Sequence, residues 1–187
     1  MFKCILVALD GSPTSNAGLK YGVQLASDQR AQLVGVHVID DAAITVNFEG
    51  GYVPAAYMDK LEESLRRNAA AILTKAQAVA KTAGVEMKSV MSESRGRTIA
   101  DAILAEARKA KADVLVIGTH GRRGISRILM GSDAEAVLRE ARIPVLLVRS
   151  PEGDRRGRAT ADRKSRDSGK SRRARASKRV VSPATVV

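Results

Sequence analysis

The run Ala112-Asp113-Val114-Leu115-Val116-Ile117 is apolar and rich in β-branched residues, and it stops at Gly118-Thr119-His120-Gly121, with Gly124 and then Gly131-Ser132 further on. An uninterrupted apolar run bounded by glycine reads as a strand buried on both faces, the pattern of a parallel sheet. The segment from Asp133 to Ala141 has a helical pattern, so the glycine loop joins the end of a buried strand to the start of a helix. The N-terminus repeats the device: Lys3-Cys4-Ile5-Leu6-Val7-Ala8-Leu9 ends at Asp10-Gly11-Ser12-Pro13. Ser12 suits a helix N-cap, and Pro13 suits the first helical position, where a missing N–H costs nothing.

Between these two junctions strands and helices alternate. Strand one is predicted over Lys3 to Leu9, and a helix from Pro13 to about Asp28 is expected to carry Ala17, Tyr21, Leu25 and their neighbours on its inner face. Strand two covers Gln32 to Ile39, and a loop through Asn47, Gly50, Gly51 and Pro54 leads to a long helix near Met58 to Ala83. In that helix Leu61, Leu65, Ala69, Ile72 and Ala76 recur at helical spacing, and Gly84 follows as a C-terminal cap. Strand three is placed at Val85 to Met91, then a helix at Arg97 to Lys109 carrying Ile99, Ile103, Leu104 and Ala107. Strand four is the run before Gly118, and strand five is Pro144 to Val148. This alternation implies a doubly wound α/β domain, a parallel sheet with helices on both faces.

Glycines at 118, 121 and 124 let backbone amides approach phosphate oxygens without a Cβ in the way, and Ser132 offers a hydroxyl at a positive helix end. A tight loop and an ordinary N-cap explain the same residues. Asp10 suits a hydrogen bond to a ribose hydroxyl, a share in holding Mg²⁺, or a simple cap on the following turn. Arg122 and Arg123 follow Gly121 and suit neutralisation of a nucleotide tail or plain solvation. His37 reads as packed structure, and His120 has no evident carboxylate partner in the sequence. Gly169-Lys170-Ser171 is not a P-loop, since position 164 is lysine where the earlier glycine belongs. Neither glycine-ended strand is followed by G-x-G-x-x-G, and no Cys/His cluster has metal-ligand spacing. Nothing supplies the lysine, base and arginine-finger set of efficient phosphoryl transfer, so a binding protein is expected rather than an enzyme.

The first strand ending in Asp10-Gly11-Ser12, the second ending His37-Val38-Ile39-Asp40, and Gly-x2-Gly-x9-Gly-Ser ahead of Pro144-Val145-Leu146-Leu147-Val148 together resemble the universal stress protein family over residues 1 to 150. The resemblance implies a flavodoxin-like, Rossmann-like domain whose five-stranded parallel sheet has the order 3-2-1-4-5. It implies the ATP-binding type, a nucleotide-responsive protein holding ATP or ADP with slow ATP hydrolysis at most, and leaves the three readings of Asp10, Mg²⁺ among them, open. In that arrangement Ala8, Asp10, Val38 and Ile117 border the adenosine. Ala8 stands where some ATP-binding members carry proline. Gly118, Gly121, Gly131 and Ser132 hold the phosphates, joined by the Asp133 backbone, with Gly11, Ser12, Arg122 and Arg123 beside them. A homodimer through the last strand, Val145 to Val148, is implied as well, and pairing would satisfy an apolar sheet edge.

A segment of about 150 residues is long enough to bury a core without staples. The single cysteine, Cys4, lies in the first strand pattern and cannot form an internal disulfide, as expected of a reducing cytoplasm. No stretch reaches the roughly 18 apolar residues of a membrane span, and the N-terminal apolar stretch is too short for a signal peptide. The net charge of +12 is unevenly spread. Residues 151 to 187 hold 12 Lys or Arg against 4 Asp or Glu, hence +8, and lack aromatic residues. Such a tail is expected to be disordered. Its Arg155, Arg156, Arg158, Arg172, Arg173, Arg175, Lys178 and Arg179 suit non-specific contact with nucleic acid or another polyanion, or simple solubility.

Overall fold

The computed structural model describes residues 1–40, 55–119 and 130–149. Their elements are β1 (Cys4–Ala8), α1 (Pro13–Gln29), β2 (Gln32–Ile39), α2 (Ala55–Thr82), β3 (Met87–Glu93), α3 (Ile99–Lys109), β4 (Val114–Gly118), α4 (Ser132–Glu140) and β5 (Val145–Val148). The five strands form one sheet in the order β3-β2-β1-β4-β5, and all four pairings are parallel. This is the doubly wound, flavodoxin-like order that the family resemblance implied.

Successive strand residues face opposite ways, so the sheet carries two cores. Ile5, Val7 and Leu9 of the first strand segment join Leu33, Val114 and Val116 against Leu19 and Val23 of α1 and Leu73 and Ala76 of α2. Leu6, Ala8, Val34, Val36, Leu115 and Ile117 line the other face with Ile103 and Leu104 of α3 and Ala134 and Val137 of α4. Cys4 is buried in this second core, as expected.

On α1 Ala17 and Leu25 are half-buried against the core as expected, but Tyr21 between them faces out. Tyr21 is 56% exposed, while Gly18, Leu19, Gly22, Val23 and Ala26 are buried. Glycine governs this rotation: a Cβ at Gly22 would stand 2.5 Å from Val7 Cγ2, so the helix lies closer to the sheet than a side chain there allows. β3 also runs two residues later than expected, through Ser92 and Glu93, in register with β2 from Leu33↔Met87 to Ile39↔Glu93. As an edge strand it accommodates these polar residues: Ser92 Oγ donates to Glu106 Oε1 (3.1 Å), and Arg66 pairs with Glu93 at 2.7 Å. α3 begins at Ile99 because Thr98 and Asp101 form a reciprocal capping box. Asp113 precedes β4 and accepts the backbone N–H groups of Lys3 (2.6 Å) and Cys4 (2.8 Å), tying the two strand starts together.

Three helices stop by one device at the amino end of the sheet. Arg30 (φ 54°), Gly84 (φ 72°) and Lys111 (φ 51°) turn left-handed, and the next residue bonds back into the helix, Ala31 to Ala26, Val85 to Ala80 and Ala112 to Ala107. Among the described residues no helix is long and apolar enough to cross a membrane.

Candidate functional site

In an open α/β sheet a crevice forms at the carboxyl ends of two neighbouring strands whose following helices pack on opposite faces. Here those strands are β1 and β4: α1 packs with α2 on one face, and α4 packs with α3 on the other. Ala8 and Ile117 end up side by side on the α3/α4 face, 8% and 7% exposed, and half-buried Val38 of the adjoining β2 packs on the same core. Three residues expected to border one ligand thus share one face of three neighbouring strands.

Beyond Ala8 the chain leaves the sheet through a tightly bonded turn. Asp10 Oδ1 accepts the Ser12 N–H at 2.9 Å, and Gly11 between them sits at φ 81°, which explains its lack of a side chain. Ser12 caps α1 as expected, its Oγ accepting the Ser15 N–H at 3.1 Å, while Ser15 Oγ donates to the Ser12 carbonyl at 3.1 Å. Ser12 and Thr14 hydroxyls lie 3.0 Å apart.

The β4 end is built differently. The Thr119 N–H donates to the Val148 carbonyl, and the Gly131 N–H donates to the Thr119 carbonyl, both at 2.9 Å. The second bond brings Gly131, Ser132 and Asp133 beside Thr119, although Gly131 lies twelve residues further along the sequence. Gly131, at φ −63° and ψ 145°, is itself the N-cap of α4, with no side-chain cap bond, and Ser132 is the first helical residue. Its φ is open to any residue, so backbone conformation does not require glycine at 131. The side chains of Ser132 and Asp133 are exposed. Gly118 has a packing reason of its own: an added Cβ would meet the Thr14 carbonyl carbon at 3.0 Å and the Ser15 nitrogen at 3.1 Å. Glycine there lets the first turn of α1 press against β4.

His120, Gly121, Arg122, Arg123 and Gly124 lie outside the described residues, as do residues 151 to 187. The buried polar residues among those described are Ser12, Thr14, Ser15, His37, Ser94 and Thr119, and every one sits at the carboxyl end of the sheet. Burying polar groups costs free energy unless they are bonded, and here the Ser12, Thr14 and Ser15 hydroxyls bond within the helix cap and the His37 ring bonds Leu9. Thr14 and Ser15 went unnoticed in the sequence. The run Asp10-Gly11-Ser12-Pro13-Thr14-Ser15 carried the signal, since hydroxyls around a helix start compete for backbone groups.

No group of three His, Cys, Asp or Glu side chains suited to a metal ion occurs among the described residues. With Oδ1 of Asp10 engaged by Ser12, the donor set here fits a Mg²⁺ supplied mainly with phosphate oxygens, not one caged by protein. A cleft of about 560 Å³ lies on the other side of the turn, between Asp10–Ser12 with Asn16 and the α2 residues Asn68, Ile72 and Lys75. It opens on the α1/α2 face and is distinct from the Ala8–Val38–Ile117 surface. At the sheet edge, β5 leaves Leu146 39% exposed, while Val148 is buried.

The sheet order and the two faces of helices define a doubly wound, Rossmann-like α/β domain. The profile of the universal stress protein family matches residues 1–149. A universal stress protein of Methanocaldococcus jannaschii is 32% identical over 152 residues, covering 81% of this chain and 84% of that protein. The crystal structure of a universal stress protein family member from Burkholderia pseudomallei is 36% identical, with a TM-score of 0.58 over 78% of this chain and 94% of that one. Another solved relative, a universal stress protein in complex with cAMP, is 26% identical with a TM-score of 0.59 over 80% of this chain and 98% of its own. The chain belongs to the universal stress protein family.

Proposed function

We propose that this protein binds ATP or ADP in the crevice between β1 and β4 and acts as a nucleotide-dependent module of a stress response or of signalling, in the cytoplasm. The observation that carries the reading is the Thr119–Gly131 bond. It sets the first turn of a helix without a side-chain cap beside the strand end where Ala8, Val38 and Ile117 share a face. Backbone N–H groups at such a helix start favour an anion, and the apolar surface suits a base and sugar. The cAMP held by a 26%-identical relative supports an adenine nucleotide as the ligand class. In this reading Asp10 meets the ribose or a nucleotide-borne Mg²⁺, and Gly121, Arg122 and Arg123 complete the phosphate contacts begun by Gly118, Gly131 and Ser132. Turnover is slow in this reading, because the sequence lacks the lysine, base and arginine-finger set of efficient phosphoryl transfer.

The first test is the nucleotide content of the purified protein, released by denaturation and separated chromatographically. ATP or ADP near one per chain is the expected result. Gly131→Val and Gly121→Val are each expected to weaken ATP binding at least tenfold in calorimetric titration, since a branched Cβ intrudes where phosphate oxygens approach. Unchanged affinity in both variants would overturn the reading.

A further inference from the structure

His37 is read as core from the sequence, yet its side chain ends on a functional loop. It is 5% exposed, and its Nδ1 lies 2.6 Å from the carbonyl oxygen of Leu9, 28 residues earlier in the chain. A carbonyl oxygen can only accept, so Nδ1 carries the proton and donates. The paired residues of β1 end at Ala8, which makes Leu9 the point where the chain departs from the ladder. The imidazole thus holds the first carbonyl beyond the sheet.

That carbonyl belongs to the peptide joining Leu9 to Asp10. The other half of the same peptide, the Asp10 N–H, reaches Ser15 Oγ at the longer distance of 3.4 Å. Of the two ties the His37 bond is the tighter and sets the plane of the peptide. The plane fixes where Asp10 starts and therefore where its Oδ1 meets the Ser12 N–H. His37 is also the neighbour of Val38 and, by the alternation of a strand, faces away from it. One residue of β2 thus braces the β1 turn while the next lines the nucleotide surface.

We propose that His37 is a positioning residue for nucleotide binding, acting through its Nδ1–H on the Leu9–Asp10 peptide and so on Asp10. This rests on the nucleotide-binding reading above. Removing the donor leaves the Leu9 carbonyl without its tightest partner at a buried position, and the turn has freedom to rotate before any ligand arrives.

Three substitutions separate a donor from mere bulk. His37→Asn keeps an N–H close to the place of Nδ1, His37→Gln moves it outward to the place of Nε2, and His37→Leu removes it. ATP affinity by calorimetry is expected to fall about tenfold or more in His37→Leu and His37→Gln, and to stay within about threefold of wild type in His37→Asn. Exchange of the Asp10 amide hydrogen, followed by NMR without nucleotide, is expected to quicken about tenfold in the first two and to match wild type in the third. Wild-type affinity in His37→Gln, or an Asn variant as weak as Gln, would overturn the proposal. Should His37→Leu not fold, the Asn and Gln pair decides it alone. Should wild-type protein bind no adenine nucleotide, the functional reading falls and the affinity role with it. Asp10 exchange in the same variants still shows whether the brace itself exists.

Discussion

At Gly22 a single methyl group sets two effects against each other. Alanine is favoured over glycine inside a helix by up to about 1 kcal/mol. The added Cβ would lie 2.5 Å from Cγ2 of Val7, which is fully buried and has nowhere to go. Overpacking of this kind costs about 1–3 kcal/mol, so on balance it wins: Gly22→Ala is expected to lower the urea midpoint, with a net loss of up to about 2 kcal/mol. Asp113 offers a second test. The Lys3 N–H, and next the Cys4 N–H, hold its carboxyl below the usual aspartate range. A depressed folded-state pKa gives stability that is present above the unfolded value and lost as pH falls through the folded one. Asp113→Ala should therefore melt lower than wild type at neutral pH, and the gap should narrow as pH falls below the usual aspartate value of about 3.9. Thermal melts of both proteins from pH 7 to pH 2.5 check this, and a gap that does not change with pH would refute it.

The strands were legible because their β-branched runs stop at turn residues, and β2 begins and ends where the pattern placed it. Helix orientation was harder. Apolar periodicity counted Tyr21 as inner and could not register that Gly18 and Gly22 are the contact face of α1, since a glycine contributes by what it lacks. At the site, Ser12 was recognisable as a cap from the proline after it, whereas Ser132 was not separable from Gly131 as the cap of α4. The His37–Leu9 bond joins a residue of β2 to one just past the end of β1, and no local spacing encodes it. The helix stops carry a prediction of their own. Arg30 and Lys111 adopt the left-handed conformation that glycine takes at Gly84, at a cost of about 1 kcal/mol for a residue with a Cβ. Arg30→Gly and Lys111→Gly are each expected to raise stability by about 0.5–1 kcal/mol, read from denaturant midpoints, without altering ATP affinity.

Across the whole molecule, β5 is an outer strand with Leu146 exposed, and we propose that it pairs with a second copy to form a homodimer. The basic segment from 151 to 187, with +8 of the total +12, is proposed to bind polyanions independently of that contact. A protein ending at Ser150 is expected to keep a dimer mass by light scattering at micromolar concentration and to keep its ATP affinity, while losing salt-sensitive retention on heparin. A one-chain mass in both forms would refute the dimer, and undiminished retention would move polyanion binding to the domain itself. The direction of β1 has a practical side. Met1 is fully exposed and precedes Cys4 at the amino end of the sheet, whereas the crevice opens past Ala8 at the other end. A dye or a surface linker attached at the N-terminus would leave the crevice facing solution, so immobilised protein can be screened for small molecules without the anchor standing in their way.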